Sequence, residues 1–481
     1  MFLCICDLPN EVIHQILVDV VRDRRVLTHE GVSLIGRALR CRLYSLFKSG
    51  LLDGPSSLGP VISTVHSDCA FLERYLTYRA LHNTKPASLQ LITIRKVAER
   101  MLEMRTLVSG QAPTQKALKD ITAQICHAAL LFPRAYDHAD TQPVSKCEVA
   151  AGIDENGAGF KRSLLAAAAY TNDIHVAREL LTSQSGDNPS ITNPRRSPPI
   201  HMHRQIKRGD MPVLPIDPYS AAAYKGNVGF LSYLIENETE KVIRSKRHTK
   251  TIIYHAAWGN QIGPIDLVLG PYFNNAHPDY ERLRDSLIEG LEATTDVDVF
   301  KRIFEVVRNE IKDATPHAKN QRSMHAWLTA RIRPVAEKGA LDLLEYLFQL
   351  GASVDGGTKD IPGRFWSPIC GAALKCQQNA VRWLLEKGAP LGTSLHAAVV
   401  GGSPKIVQLL LDHGAMEDQI AAQEALLEAM RREDEILFRL LVANGAKLFY
   451  QTSFDEVVKM AEEQQLYSMR NLLQEHRDAI T

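Results

Sequence analysis

Side chains that could bind a metal, carry a proton or attack a bond are present in this chain, but few stand at useful spacings. The eight cysteines, Cys4, Cys6, Cys41, Cys69, Cys126, Cys147, Cys370 and Cys376, are scattered over 481 residues and include no Cys-x-x-Cys pair. A chain of this length needs no disulfide staples, so reduced thiols are expected. Cys370 and Cys376 lie six apart and would face different ways on a helix, which argues against their pairing. His201 and His203 flank Met202, yet the surrounding stretch offers no further ligands at the spacing a metal site requires. Residues 152–159 carry glycines without the spacing or the lysine of a phosphate loop, and no G-x-S-x-G, Walker or H-E-x-x-H motif occurs. The expectation is a non-enzymatic chain with no catalytic residue, no cofactor and no metal ligand set.

Charge narrows the choice of partners. Lys plus Arg is 56 and Asp plus Glu is 55, a formal net charge of +1. A dedicated nucleic-acid binder would carry a basic excess, so nucleic acid is not an expected partner. Two local basic runs exist. One is Arg195-Arg196 with Arg204, Lys207 and Arg208, inside a Pro-, Ser- and Asn-rich stretch, and the other is Lys241 to Lys250. The first reads as a solvated, disordered insertion or as a patch for nuclear import or an acidic partner, and the second as a solvated finger between two repeats. No apolar run reaches the roughly 20 residues of a membrane span, and the N-terminal apolar run stops at Asp7 without a basic flank. No membrane association is expected, and the cytoplasm or nucleus is the expected location.

The elements that must position any functional side chain emerge from internal repetition. One unit starts at Thr393 and reads T-S-L-H-A-A-V-V-G-G-S-P-K-I-V-Q-L-L-L-D-H-G-A. The preceding unit, from Ser367, reads S-P-I-C-G-A-A-L-K-C-Q-Q-N-A-V-R-W-L-L-E-K-G-A. Leu-Leu and Gly-Ala recur at the same offsets in both. Related frames begin at 163, 217, 251, 285, 330, 367, 393, 424 and 455, with only helical spacing surviving at 285 and 455. These units resemble ankyrin repeats, whose pattern runs T-P-L-H-x-A-A, then Gly, then V-x-x-L-L and G-A.

The resemblance implies an all-α solenoid of helix-turn-helix repeats with β-hairpin or loop fingers, preceded by a helical N-terminal region. Ser or Thr at the first position can cap the first helix, with Pro following in its first turn. Paired alanines let helices approach closely, and Gly401-Gly402 frees the backbone where that helix ends. Ile406, Val407, Leu409, Leu410 and Leu411 are expected to form the buried face of the second helix, and Gly414 to end it in a left-handed cap. In the family pattern His396 is structural and orients the turn by hydrogen bonds.

At the N-terminus, Asp-Leu-Pro-Asn-Glu-Val-Ile-His-Gln-Ile-Leu (7–17) places Leu8, Val12, Ile13, Ile16 and Leu17 on one helical stripe, with Pro9 where a helix can begin. This resembles the start of an F-box, L-P-x-E-hydrophobic-x-x-x-I-L. Residues 38–47 stand where its second segment would fall, and Phe47 approximates its missing tryptophan. Ankyrin proteins of filamentous fungi are similar in this arrangement. The resemblance implies docking to the linker subunit of a cullin ubiquitin ligase through Leu8, Pro9, Val12, Ile13, Ile16 and Leu17. The other reading is a helix that only caps the solenoid on a scaffold with no ligase link.

The expected organisation is an F-box-like segment over 1–50, a helical spacer or degenerate repeats over 51–162, and an ankyrin array over 163–481 with a disordered insertion at about 182–218. A protein target is expected on the concave helix face and the fingers. The long finger from Ser353 to Trp366 is the best candidate, with Lys359, Arg364, Phe365 and Trp366 as contact residues, because Arg and aromatic side chains dominate interface hot spots.

Overall fold

The computed structural model describes residues 69–82, 89–110, 112–131, 154–182, 217–237, 246–270, 280–313, 324–356, 367–432, 434–447, 454–463 and 467–477. They form helices and turns, with no strand among the described residues, so the protein is all-α. Two compact units divide the chain, Met1–Thr294 and Thr295–Thr481.

The first unit contains α1 (Cys69–Leu81), α2 (Leu89–Ser109), α3 (Gln115–Leu131), α4 (Ala158–Thr171), α5 (Ile174–Thr182), α6 (Pro218–Lys225), α7 (Val228–Glu236), α8 (Lys246–Trp258), α9 (Ile262–Leu269) and α10 (Tyr280–Ala293). Helices α1 to α3 pack on one another, and α2 and α3 lean on α4. Beyond them α4, α6, α8 and α10 form a row in which each touches the next, while α5, α7 and α9 fold back onto α4, α6 and α8.

The second unit repeats the scheme with α11 (Val297–Asp313), α12 (Met324–Lys338), α13 (Leu341–Gln349), α14 (Pro368–Leu374), α15 (Gln378–Glu386), α16 (Ser394–Gly401), α17 (Pro404–Asp412), α18 (Gln419–Arg431), α19 (Glu435–Ala443), α20 (Phe454–Glu463) and α21 (Tyr467–Glu475). One row runs α12, α14, α16, α18 and the other α11, α13, α15, α17, α19, with α20 and α21 paired.

Composition explains the two rows. In the first-helix row the contact residues are small: Ala372, Ala373, Ala397, Ala398 and Ala422 are wholly buried. Alanine loses no side-chain entropy in a helix and lets the axes come close. The second helices supply bulk, with Leu343, Leu344 and Leu347, then Val381 and Leu384, then Ile406, Val407 and Leu410, then Leu437, Phe438 and Leu441, all at 0% exposure. Burying each such side chain is worth about 1.5–3 kcal/mol. Leu409 does not join them: it is only half-buried and looks outward between α17 and α19.

Turn chemistry repeats as faithfully as the core. Gly414 has φ +88°, and the Ala415 N–H bonds to the Leu410 carbonyl at 3.1 Å. This is the six-to-one closure of a Schellman cap. It returns at Ala352 to Leu347, Ala389 to Leu384 and Ala446 to Leu441, which explains why Gly-Ala recurs: a left-handed residue, then a small buried one. First helices end the same way, with Asp173 N–H bonded to Ala168 O, Asn227 to Ala222, Gln261 to Ala256 and Gln377 to Ala372.

Several helix starts carry side-chain caps. Asp217, Ser367, Ser403, Asp418 and Asp434 each accept a backbone N–H of the following turn. Thr393 departs from the expected role. Its backbone (φ −86°, ψ 19°) is not extended as a capping residue must be, and its Oγ1 lies 3.5 Å from Cys370 Sγ instead.

Candidate protein-binding surface

Both sets of residues predicted from sequence lie outside the described residues: Leu8, Pro9, Val12, Ile13, Ile16 and Leu17 at the N-terminus, and Lys359, Arg364, Phe365 and Trp366 in the finger. So does most of the insertion expected at about 182–218, of which the structure describes only the flanks, Thr182 and Asp217–Pro218. What the structure does define is the pair of helix rows within each unit and the side chains they present to solvent.

In the second unit the first-helix row presents charge. Arg333 Nε pairs with Glu337 Oε1 at 2.8 Å along α12. His396 on α16 points Nδ1 at Glu424 Oε2 on α18, 3.5 Å away, so this ring spans a repeat boundary. Glu428 gathers Arg432 at 3.0 Å and Arg431 at 3.5 Å. Arg432 in turn donates to the carbonyls of Val399 and Val400, sealing the end of the neighbouring helix α16. In the first unit the same row is aromatic. Tyr224 and Trp258 meet edge to face at 5.3 Å, Tyr254 lies at 6.4 Å from Trp258, and Lys225 Nζ stands 5.1 Å over the Tyr170 ring.

The second-helix row holds a clasp that sequence reading missed. Trp383 Nε1 on α15 donates to Glu345 Oε2 on α13 at 2.9 Å, and Lys387 Nζ reaches the same carboxylate at 3.1 Å. That ammonium also lies 4.7 Å over Phe348, whose ring meets Trp383 at 5.9 Å and 88°. The Trp383 hydrogen bond, followed by Lys387, holds the Glu345 carboxyl below its ordinary range. The signal was available: the aligned second helices carry Tyr346, Trp383, Leu409 and Leu440 at one position, the sixth residue of each.

The described cysteines differ in burial. Burial pushes the Cys126 thiol up to about 12, removing the thiolate that would react at neutral pH. Cys370 is buried and Cys376 exposed, neither in a disulfide, and Cys376 Sγ donates to Gly401 O at 2.9 Å. Among the described residues no group of three or more His, Cys, Asp or Glu side chains could hold a metal ion. No described helix is long and apolar enough to cross a membrane.

Burial lowers the His396 pKa, against the pull of Glu424 and Glu428 and with Arg431 assisting. The unfolded chain therefore takes up the proton more readily than the folded one. This stability is fully present above the ordinary pKa of 6.5 and is lost as pH falls through it toward the folded value. His255, half-buried beside the Thr251 carbonyl, is shifted in the same direction by desolvation. We expect the urea midpoint to fall between about pH 8 and about pH 5.5, and His396→Gln to remove part of that fall. Identical pH profiles for the two proteins would refute the assignment.

A stack of helix pairs closed by recurrent Gly-Ala caps, with small residues in one row and leucines in the other, defines a repeat protein. Residues 334–423 match the family model for ankyrin repeats (3 copies), which covers the end of α12, α13 to α17 and the start of α18. This segment carries ankyrin repeats, a protein-interaction module. None of the curated proteins matches the chain.

Proposed function

We propose that the chain is a non-enzymatic adaptor of the cytoplasm or nucleus. It binds a protein target through its repeats and fingers, and residues 7–47 make it a substrate receptor of a cullin-type ubiquitin ligase. The observation that carries the reading is the ankyrin match over 334–423, in a framework that carries the ion pairs Arg333–Glu337 and His396–Glu424 along its first-helix row. A framework sealed by its own caps loses little entropy on binding, which suits recognition of a folded target. The ligase link is supported by the stripe Leu8, Val12, Ile13, Ile16 and Leu17 behind Pro9. Lys359, Arg364, Phe365 and Trp366 supply the residue types of a finger hot spot.

The test is co-purification of the full chain with the ligase linker subunit. The wild type is expected to retain the linker, and the Leu8→Asp, Ile13→Asp double variant to lose at least about tenfold of it, since two charges would enter an apolar contact. Retention by both, or by neither, removes the ligase link. The repeats then stand as a scaffold whose N-terminal helices only cap it.

A further inference from the structure

The clasp of Glu345, Phe348, Trp383 and Lys387 covers one end of an apolar stripe along the second-helix row. At the other end the stripe is open. Leu409 and Leu440 are half-buried, and Ile436 on α19 is 65% exposed. These three line a groove of about 750 Å³ running across α15, α17 and α19. Its rim is not neutral. Arg382 on α15 and Lys405 on α17 line it with no ion-pair partner among the described residues. Of the other lining charges, Arg439 is held by Glu435 at 2.9 Å and Glu475 at 3.1 Å, while Asp412 accepts from the neutral Gln408 amide at 2.7 Å and keeps its negative charge.

An apolar floor whose two ion-pair-free cations, Arg382 and Lys405, outnumber the single Asp412 carboxylate favours an anionic, apolar occupant. We propose that this groove is a second docking site, on the helix row opposite the first-helix face, for a peptide segment of another protein. That segment carries carboxylates next to apolar side chains. The apolar side chains cover Ile436, Leu409 and Leu440, and the carboxylates pair with Arg382 and Lys405. Desolvation of the floor supplies affinity, and the cations set orientation and rate of encounter. The site is separate from any ligase link and stands whether or not that link exists.

The experiment uses the full chain to select from a phage-displayed library of short random peptides. The most enriched peptide, labelled with fluorescein, is then measured by anisotropy. The expected result is a peptide combining Asp or Glu with large apolar residues, whose binding weakens as salt rises. Its affinity should fall at least about tenfold in Ile436→Asp and in the Arg382→Glu, Lys405→Glu double variant, but not in Arg333→Glu on the first-helix row. Ile436, Arg382 and Lys405 are exposed and Arg333 is half-buried, and circular dichroism checks that every variant folds. Enrichment of peptides lacking acids, binding unchanged by the groove variants, or no enrichment at all overturns the proposal. So does concentration-dependent self-association that Ile436→Asp abolishes, since the groove would then belong to a second copy of this chain.

Discussion

Replacing Leu410 by alanine is expected to destabilise the second unit by roughly 2–5 kcal/mol, whereas the same change at its neighbour Leu409 should cost less than about 1 kcal/mol. Leu410 is wholly buried in α17, which packs on α15, α16 and α19, so its removal opens a cavity shared by three helix contacts. Its carbonyl also receives the Ala415 N–H that closes the helix. Leu409 lines the outer groove and leaves no void when truncated. In a stacked repeat array each interface supports the next, so the damage should spread to α15 and α19 rather than remain in α17. A chain of this size need not unfold in one step, and the suitable measurement is amide exchange through α15 to α19 together with the lowest urea transition. Equal losses at the two leucines would mean that the assigned helix facing is wrong.

The Leu409–Leu410 contrast also marks how far the sequence could be read. Gly-Ala after each second helix is legible because its cause is local: a left-handed residue followed by one small enough to bury while its N–H bonds back six residues. Paired alanines are legible for the same reason, since small size is a property of the residue itself. The run Leu409-Leu410-Leu411 is not, because three identical side chains give a helix no phase, and Leu409 lies three residues from Ile406 just as Leu410 lies three from Val407. The Thr393 cap failed on backbone geometry: Gly392, at φ +44°, leads into Thr393 at ψ 19°, and the hydroxyl turns toward Cys370 rather than the helix amides. The Glu345–Trp383 clasp joins residues 38 apart and becomes visible only once the second helices are laid side by side. The two predicted contact sets, Leu8 to Leu17 and Lys359 to Trp366, rest on residue types alone, because they lie outside the described residues.

Gly259→Ala is expected to be costly despite adding a single methyl group. A Cβ at Gly259 would stand 2.0 Å from Tyr224 O and within 2.9 Å of the Tyr224 Cα, all of it backbone that no rotamer change can clear. Gly401 repeats the arrangement in the second unit, where a Cβ would meet Ala373 O at 2.6 Å. At both places the end of one first helix presses on the end of the preceding one, α8 on α6 and α16 on α14, and glycine is what permits the approach. The strain differs from that at Gly402, which has φ +72° and is constrained by its own backbone rather than by a neighbour. An added methyl group at Gly259 must therefore move two helices apart, and overpacking of this kind costs about 1–3 kcal/mol. The displacement would reach Gln261, whose side-chain Nε2 donates to the Gly259 carbonyl and whose Oε1 lies against Gly226, so the α6–α8 contact should loosen as a whole. The expected readout is a lower melting temperature with faster amide exchange at α6 and α8, and a smaller loss of the same kind for Gly401→Ala in the second unit. A Gly259→Ala protein that melts like the wild type would show that the helices do not meet this closely, and that small residues are not what sets the spacing of the first-helix row.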